Sequence, residues 1–226
     1  MTAFYNKPNE LSNNLFIKKM SEKLISNDEI PADLYTEYNV KRGLRNANGT
    51  GVLVGLTKIS HVEGYKVNEN KEKIAVPGKL YYRGYNVEDI VNSFIEEKRF
   101  GFDEITYLLL FGELPNKKQL EDFQHLLGER RELPRGFAWD MILVAPSSSL
   151  MNKLARSVLA LYSYDDNPDD TSIENVLRQS IELIGYFPSL IAYAYQAKRS
   201  FYDNESLHLH YPIPELGTAE NILRMI

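Results

Sequence analysis

The apolar residues from Asn86 onward recur at the three- and four-residue spacing of amphipathic helices, and this periodicity constrains the fold more than any other feature of the chain. Recognisable start and stop residues divide the pattern into separate helices. Asp103 heads an apolar run at residues 105–111, which Gly112 and Pro115 end. The pattern therefore predicts a mainly α-helical, multi-helical domain.

Capping sequences predict where three further helices begin. Asn116 followed by Gln119, and Thr171 followed by Glu174, have the spacing of a capping box, and Ser149 precedes another apolar stripe. The apolar faces that follow contain Leu120, Phe123, Leu126 and Leu127 in the first helix, Leu150, Leu154, Val158 and Leu161 in the second, and Ile173, Val176, Leu177, Ile181 and Ile184 in the third.

The longest of these helices contains two residues that commonly interrupt helices. Gly185 and Pro188 lie in its middle, yet the apolar spacing resumes at Leu190. We expect the two residues to kink the helix without ending it. Near its start, Glu174 and Arg178 have the four-residue spacing of an ion pair, which would contribute roughly 0.2–0.5 kcal/mol.

One stretch near the front of the chain is typical of β-structure. Residues 52–62 are rich in β-branched side chains, and residues 79–83 offer a partner strand across the polar connection at residues 68–73. The pattern predicts a small hairpin beside the helices, with an ordered loop as the alternative.

The first forty residues differ in character from the rest. They contain an apolar stripe formed by Leu15, Phe16, Met20 and Leu24. Pro31 then opens a second short helical turn. We expect residues 1–40 to form an N-terminal helical extension and residues 41–226 to form the main, partial helical domain.

The last ten residues predict the opening of one more helix. Thr218 stands at the N-cap position, and Glu220 adds negative charge to the first turn. The apolar face of this helix contains Ala219, Ile222, Leu223 and Ile226. No glycine or proline follows to end it, so we expect the chain to be truncated within this helix.

Charge and cysteine content exclude several classes of protein. The net charge is −5 without a basic cluster, which disfavours nucleic-acid binding. The chain has no cysteine, so disulfides, thiolate nucleophiles and cysteine-ligated zinc are excluded. The polar start lacks the apolar core of a signal peptide, and no apolar run reaches the ~18 residues of a membrane span. We expect a cytoplasmic protein with no nucleic-acid or membrane partner.

The four histidines form no recognisable catalytic or metal-binding pattern. His208 and His210 lie close together in a predicted loop, but a metal site needs a third ligand, and no carboxylate lies at motif spacing. His61 falls in the predicted strand, where an ordinary hydrogen-bonded role is expected. His125 falls in an amphipathic helix, where partial burial explains it.

Glycines and serines that resemble catalytic loops also lack the required context. Gly49, Gly51 and Gly55 resemble a phosphate-binding loop, but such a loop precedes a helix, and here a predicted strand follows. The serines at residues 147–149 lack the glycine elbow of a nucleophilic serine and are expected to start a helix. The residues alone therefore support no catalytic, cofactor-binding or metal-binding assignment.

Four segments, in the same order along the chain, resemble motifs of the citrate synthase family. Residues 78–90, GKLYYRGYNVEDI, are similar to its G-x-L-x-Y-R-G-Y fingerprint. Residues 43–45 with residues 57–60 are similar to its opening motif, GLRG…T-x-I-S. Residues 102–115, FDEITYLLLFGELP, are similar to a family helix, and residues 211–225 are similar to the family segment that ends in AENFLxM.

The resemblance implies an acyltransferase of the tricarboxylic acid cycle that condenses acetyl-CoA with oxaloacetate to give citrate and CoA. In the family a carboxylate removes a proton from the acetyl methyl group, and histidines stabilise the oxygen atoms that gain charge. No metal or prosthetic group is implied. The motifs that carry this chemistry follow the AENFLxM segment, so no catalytic residue is assigned here, and we expect the chain by itself to be inactive.

The resemblance also implies an assembly. The helices around residues 151–162 and 172–199 correspond to helices that pack against their twins in a two-fold homodimer. We expect four side chains on them to be buried, partly between subunits: Leu154, Val158, Ile181 and Ile184.

Two alternatives remain open from the sequence. A 2-methylcitrate synthase would use propionyl-CoA, and one methylene group changes acyl-donor binding by only ~1–3 kcal/mol. A non-catalytic helical dimerisation module would use the same scaffold for assembly alone.

Overall fold

The computed structural model describes residues 31–226 with the exception of positions 39, 41–42, 47, 53–56 and 70–71. The chain divides into two units, Met1–Leu56 and Thr57–Ile226. The apolar stripe predicted between residues 15 and 24 lies outside the described residues. The domain boundary expected between residues 40 and 41 stays a prediction.

The first unit contains helix α1, Ala32–Glu37, which begins directly after Pro31 as predicted. Beyond it, Arg45 and Gly51 form an isolated antiparallel β-bridge that closes a short loop. Gly49 lies in this loop with a φ of 82°, a conformation that glycine adopts without strain. The loop is a closed turn with no helix at its end within the described residues.

The second unit begins with a three-stranded antiparallel sheet of order β1–β2–β3. Its strands are β1, Ser60–Val67, β2, Lys73–Tyr82, and β3, Tyr85–Asn86. His61 pairs with Tyr81 and Val62 with Leu80, so the predicted hairpin partner is confirmed.

The predicted start of the first strand was wrong. Residues 57–59 are described and lie outside the strand, which begins at Ser60. The Thr57 hydroxyl accepts a hydrogen bond from the Ile59 N–H at 3.1 Å, and this local turn competes with strand pairing. Residues 53–56, the middle of the predicted strand, lie outside the described residues.

A two-residue turn links β2 to β3 and ties the sheet to the helices. Arg83 and Gly84 have φ angles of 50° and 91°, as a type I′ hairpin turn requires. The Arg83 guanidinium donates to the Leu109 carbonyl oxygen through Nε, at 3.3 Å, and through Nη2, at 2.7 Å. That carbonyl lies in the last turn of a helix, where a cation is stabilising.

Helices make up most of the second unit. They are α2, Val87–Glu96, α3, Phe102–Phe111, α4, Lys117–Glu129, a π-helix, Ala138–Leu143, α5, Leu150–Leu161, a 3₁₀ turn, Tyr162–Tyr164, α6, Ile173–Tyr202, and α7, Thr218–Met225. The expectation of a mainly α-helical domain with a small hairpin is confirmed. None of the described helices has both the length and the apolar character needed to cross a membrane.

Several predicted helix ends are confirmed by their hydrogen bonds. Asn116 and Gln119 form a reciprocal capping box at 3.0 and 2.8 Å. Gly112 ends α3 in the left-handed conformation, with a φ of 86°. Ser149 caps α5 by accepting from the Asn152 N–H at 3.4 Å. Helix α6 runs through Pro188 without ending there, as expected.

The predicted start of α6 was wrong by one residue. Ser172, not Thr171, caps the helix, and its hydroxyl accepts from the Asn175 N–H at 3.3 Å. The Asp170 carboxylate holds Ser172 in this position by accepting from its N–H at 2.9 Å. Arg178 pairs with Asp165 and Glu182 instead of the predicted Glu174.

The main core lies along the second half of α6. It contains Phe137, Ile142, Leu161, Leu190, Ala192, Tyr193, Ala194, Ala197 and Met225. Of the four side chains expected to be buried, Ile181 is buried, whereas Leu154, Val158 and Ile184 are only half-buried within the chain. Ile173, placed on the same apolar face, is 89% exposed.

The predicted apolar face of α7 was also wrong. Gly217 takes the N-cap position, and Thr218 is the first helical residue. This shift buries Thr218, Asn221 and Met225, while Leu223 is 72% exposed. The shift has a tertiary cause, because the Thr218 hydroxyl bonds to Arg131, just after α4, and the Thr218 N–H donates to Asp103 of α3.

Candidate functional site

The structure describes all four histidines, on β1, on α4 and in the segment between α6 and α7. His61 lies on β1 with its ring 5.9 Å from that of Tyr81. His125 was expected to be partly buried, but its side chain is 76% exposed, with Nδ1 3.6 Å from a Glu129 carboxylate oxygen. His208 and His210 are exposed between α6 and α7. No cluster of three or more potential metal ligands occurs among the described residues.

The most developed polar site is a buried cluster beneath the start of α7. We call it the Arg131 cluster. Its members are Asp103, Gln124, Arg131, Thr218 and Asn221, together with the backbone of residues 213–217.

Arg131 is the centre of this cluster and is only 1% exposed. Its Nη1 donates to the carbonyl oxygens of Ile213, at 3.3 Å, Pro214, at 3.4 Å, and Leu216. Its Nη2 lies 3.4 Å from the Thr218 hydroxyl oxygen. The guanidinium thus holds a backbone loop through neutral oxygen atoms rather than a carboxylate.

Asp103 supplies the negative charge of the cluster without pairing directly with Arg131. Its Oδ2 accepts from the Thr218 N–H at 3.3 Å and from the Gln124 side-chain amide at 3.1 Å. Burial lowers the pKa of Arg131, and the nearby carboxylates of Asp103 and Glu220 oppose that shift. Within the described part of the chain, Asp103 Oδ1 and Arg131 Nε are buried without a hydrogen-bond partner.

Asn221 closes the same loop from the side of α7 and is fully buried. Its side-chain NH₂ donates to the carbonyl oxygens of Ile213, at 3.0 Å, Leu216, at 3.1 Å, and Gly217, at 3.2 Å. Its Oδ1 accepts from the Ile213 N–H at 2.8 Å. Both the NH₂ group and Oδ1 of this side chain therefore bond to the backbone of residues 213–217 and stabilise the conformation of that loop.

The chemistry of the Arg131 cluster is that of an anchor. Its groups bond to backbone and amide atoms, and it contains no nucleophile paired with a base. The loop also lies directly on α4, because a Cβ added to Gly128 would lie 2.3 Å from the Pro214 carbonyl oxygen. The cluster therefore fixes where α7 begins.

A second buried cation lies at the start of α5. Lys153 is buried, and its ammonium group donates to the carbonyl oxygens of Met141 and Ala145, the latter at 2.9 Å. These carbonyls lie within and just beyond the π-helix, at the end where a cation is favourable. Burial lowers the pKa of Lys153, and the charge of Arg156 lowers it further.

A cavity of ≈ 550 Å³ lies where α5 connects to α6. Arg178 lines it and pairs with Asp165 at 2.6 Å and with Glu182 at 3.0 Å. The pKa of Asp165 is lowered by hydrogen bonds from the Asn167 N–H and the Gln179 amide, with Arg178 adding to the effect. Asp165 and Glu182 already pair with the Arg178 guanidinium. The charged groups of this cavity therefore stabilise the connection between α5 and α6.

Only weak local patterns point to these buried polar residues. Lys153 occurs on the apolar stripe that runs from Leu150 to Leu154, and Asp103 heads a helix as a capping residue would. Arg131 and Asn221 have no local pattern that predicts burial. The carbonyl partners of Arg131 lie more than 80 positions along the chain, whereas those of Asn221 lie within eight positions of it.

Comparison with known proteins gives a consistent set of relatives. The family model "Citrate synthase, C-terminal domain" matches residues 44–226. A citrate synthase of Saccharolobus solfataricus is 31% identical over 160 residues, which cover 70% of this chain and 36% of that protein. A 2-methylcitrate synthase of Corynebacterium glutamicum is 25% identical over 191 residues, which cover 84% of this chain and 43% of that protein.

The fold is also found among solved structures. The crystal structure of citrate synthase from Pyrobaculum aerophilum matches with a TM-score of 0.60 and 27% identity, covering 81% of this chain and 41% of that one. The chain thus spans well under half the length of the relatives that it matches.

Proposed function

The chain belongs to the citrate synthase family, and from this premise we propose that it contributes the N-terminal part of an enzyme that condenses acetyl-CoA with oxaloacetate to give citrate and CoA. The match between the family and residues 44–226 carries the proposal. A cytoplasmic location is part of it, supported by a cysteine-free composition that suits a reducing compartment.

Within such an enzyme, this chain would supply scaffold rather than proton-transfer groups. Its histidines are exposed, and the buried cations Arg131 and Lys153 bond to backbone carbonyl oxygens. In the citrate synthase family that these motifs resemble, the catalytic carboxylate and histidines belong to motifs that follow the segment corresponding to residues 211–225. We propose that the 226-residue chain alone has no turnover.

A chimera tests this proposal. Residues 44–226 would replace the corresponding segment of the S. solfataricus relative, and thiol release from acetyl-CoA would be measured with and without oxaloacetate. We expect the folded chimera to show oxaloacetate-dependent release and the isolated chain to show none above background. A chimera that melts cooperatively but stays inactive would contradict the scaffold role, as would citrate formation by the isolated chain.

A 2-methylcitrate synthase is the second candidate, favoured by the C. glutamicum relative. The same segment would be placed in that host and assayed with propionyl-CoA. The activity of each chimera would be divided by the activity of its unmodified host enzyme, and the two fractions would be compared. Recovery in the citrate synthase host supports the leading proposal, and recovery only in the 2-methylcitrate synthase host supports the alternative.

We also propose that the chain forms a homodimer through α5 and the first half of α6. Large apolar side chains on these helices are exposed within one chain, among them Met151, Leu159 and Ile173. Exposed apolar side chains of this size on neighbouring helices are typical of an interface between subunits.

A charge placed on this face tests the dimer. We expect Leu159→Glu to raise the dimer dissociation constant at least tenfold in sedimentation equilibrium, because association would bury a carboxylate. Ile95→Glu is the matched control, since Ile95 is an exposed aliphatic residue on α2. A wild-type chain that is monomeric at micromolar concentration, or equal effects of the two variants, would contradict the interface. A dimer whose chimeras are both inactive would instead favour the non-catalytic module.

A further inference from the structure

We propose that residues 213–225 form a strap that opens and closes on the domain as a unit of its own, with Arg131 as the latch. The strap consists of the loop at residues 213–217 and helix α7. The proposal rests on the geometry of the described residues and is independent of the proposed enzymatic activity.

The strap is held mainly by polar contacts. Of the three buried residues of α7, Thr218 and Asn221 are polar, and Met225 alone is apolar. The Met225 side chain joins the main core, whereas Leu223 on the same helix is exposed. Arg131 and Asp103 bond to the strap from the body of the domain, whereas the bonds of Asn221 stay within the strap. The docking of the strap therefore depends in large part on a few hydrogen bonds, whose net contribution in water is modest.

The closed strap also carries a cost. Closure buries Arg131 and Asp103 beneath Thr218 without a direct ion pair between them. One polar atom of each of these two side chains has no partner within the described residues. Burying charge without full compensation is unfavourable, so the closed state gains less than its hydrogen bonds suggest.

The latch itself is fixed to the body of the domain. The Ser189 hydroxyl on α6 donates to the Arg131 carbonyl oxygen at 2.9 Å, and the Arg131 N–H donates to the Gly128 carbonyl oxygen at 3.3 Å. These contacts do not involve the strap. Opening would therefore detach residues 213–225 while leaving α4 and α6 folded, as in local unfolding of a cooperative segment.

Amide hydrogen exchange of the 226-residue chain, followed by mass spectrometry, tests the proposal. In the wild type we expect peptides from residues 213–225 to exchange faster than peptides from the core half of α6. In Arg131→Met we expect exchange of the strap to accelerate at least tenfold, while exchange of α4 and α6 changes less than threefold. Arg135→Met is the matched control, because Arg135 is exposed nearby, and it should leave the strap unchanged.

Thr218→Val gives a milder second variant that keeps the shape of the side chain and removes only its contact with Arg131. We expect it to accelerate exchange of the strap in the same direction by a smaller factor. Equal acceleration of the strap, α4 and α6 in these variants would show that the strap unfolds only with the whole domain and would overturn the proposal. Unchanged strap exchange in Arg131→Met would overturn the role of the latch.

Discussion

Replacing Asn221 with alanine is expected to lower the free energy of unfolding by about 1–3 kcal/mol, because buried backbone groups then lose their partners. The loss is limited by the free energy that holds residues 213–225 closed. The Ile213 N–H loses the acceptor that lies at 2.8 Å, and three carbonyl oxygens lose a shared donor. Arg131 still bonds to two of those carbonyls, so the largest loss falls on the Ile213 N–H. Urea unfolding followed by circular dichroism measures the effect.

The control for this substitution is Asn152→Ala. Asn152 is exposed on α5, and we expect its replacement to change the free energy of unfolding by less than about 0.5 kcal/mol. If the two variants had similar stability, the hydrogen bonds of Asn221 would contribute little, and the anchoring role of the Arg131 cluster would be wrong.

Replacing Gly128 with alanine is expected to destabilise the domain by about 2–3 kcal/mol, as overpacking of a buried contact does. The added Cβ would lie 2.3 Å from the Pro214 carbonyl oxygen and 3.1 Å from its carbonyl carbon. Both are backbone atoms, so relief requires movement of either α4 or the loop. In an unobstructed helix the same change would instead stabilise by about 1 kcal/mol.

The sign of this effect therefore discriminates between close packing and open space. Gly64→Ala serves as the control, because an added Cβ there meets nothing within 4 Å. We expect thermal and urea unfolding to show a loss of stability only for Gly128→Ala. A Gly128→Ala variant as stable as the wild type would refute the close approach of residues 213–217 to α4.

Helix ends were predictable wherever their determinants are local. Asn116 and Gln119 cap each other across three residues, and Gly112 ends α3 by adopting a positive φ angle. Both effects depend on the chemistry of adjacent residues, so a sequence pattern captures them. The hairpin partners were predictable for the same reason, because a short polar connection joins two β-prone segments.

The predicted N-cap residues of α6 and α7 were each wrong by one position, because adjacent residues at both helix starts can act as N-caps. Thr171 and Ser172 are both good N-cap residues, and the carboxylate of Asp170 favours Ser172. At α7, Thr218 was expected to be the cap, but its hydroxyl group faces Arg131 and its N–H donates to Asp103. Such tertiary contacts decide which face of α7 is buried, and the buried residues 218, 221 and 225 lie one position before those predicted.

The buried polar site was largely beyond prediction from one sequence. Arg131 and Asn221 are types of residue that usually lie at the surface. The carbonyl oxygens that Arg131 bonds are distant in the chain, and those that Asn221 bonds belong to a loop that packs on α4. The π-helix at residues 138–143 was missed as well, since no local pattern distinguishes it from an α-helix. The family resemblance rested on short motifs, and two of them contain members of this site: Asp103 lies in residues 102–115, and Thr218 and Asn221 lie in residues 211–225.

Pro188 lies in the middle of α6 and interrupts the hydrogen-bond ladder of this thirty-residue helix. Pro188 has no N–H, so the Ile184 carbonyl oxygen one turn earlier lacks its usual helical donor. The half of α6 before this gap contains Arg178 and its ion pairs, and the half after it contains the core residue Leu190. Because one helical hydrogen bond is absent there, bending of α6 is expected to concentrate at this gap, between the ion pairs of Arg178 and the core residues that follow.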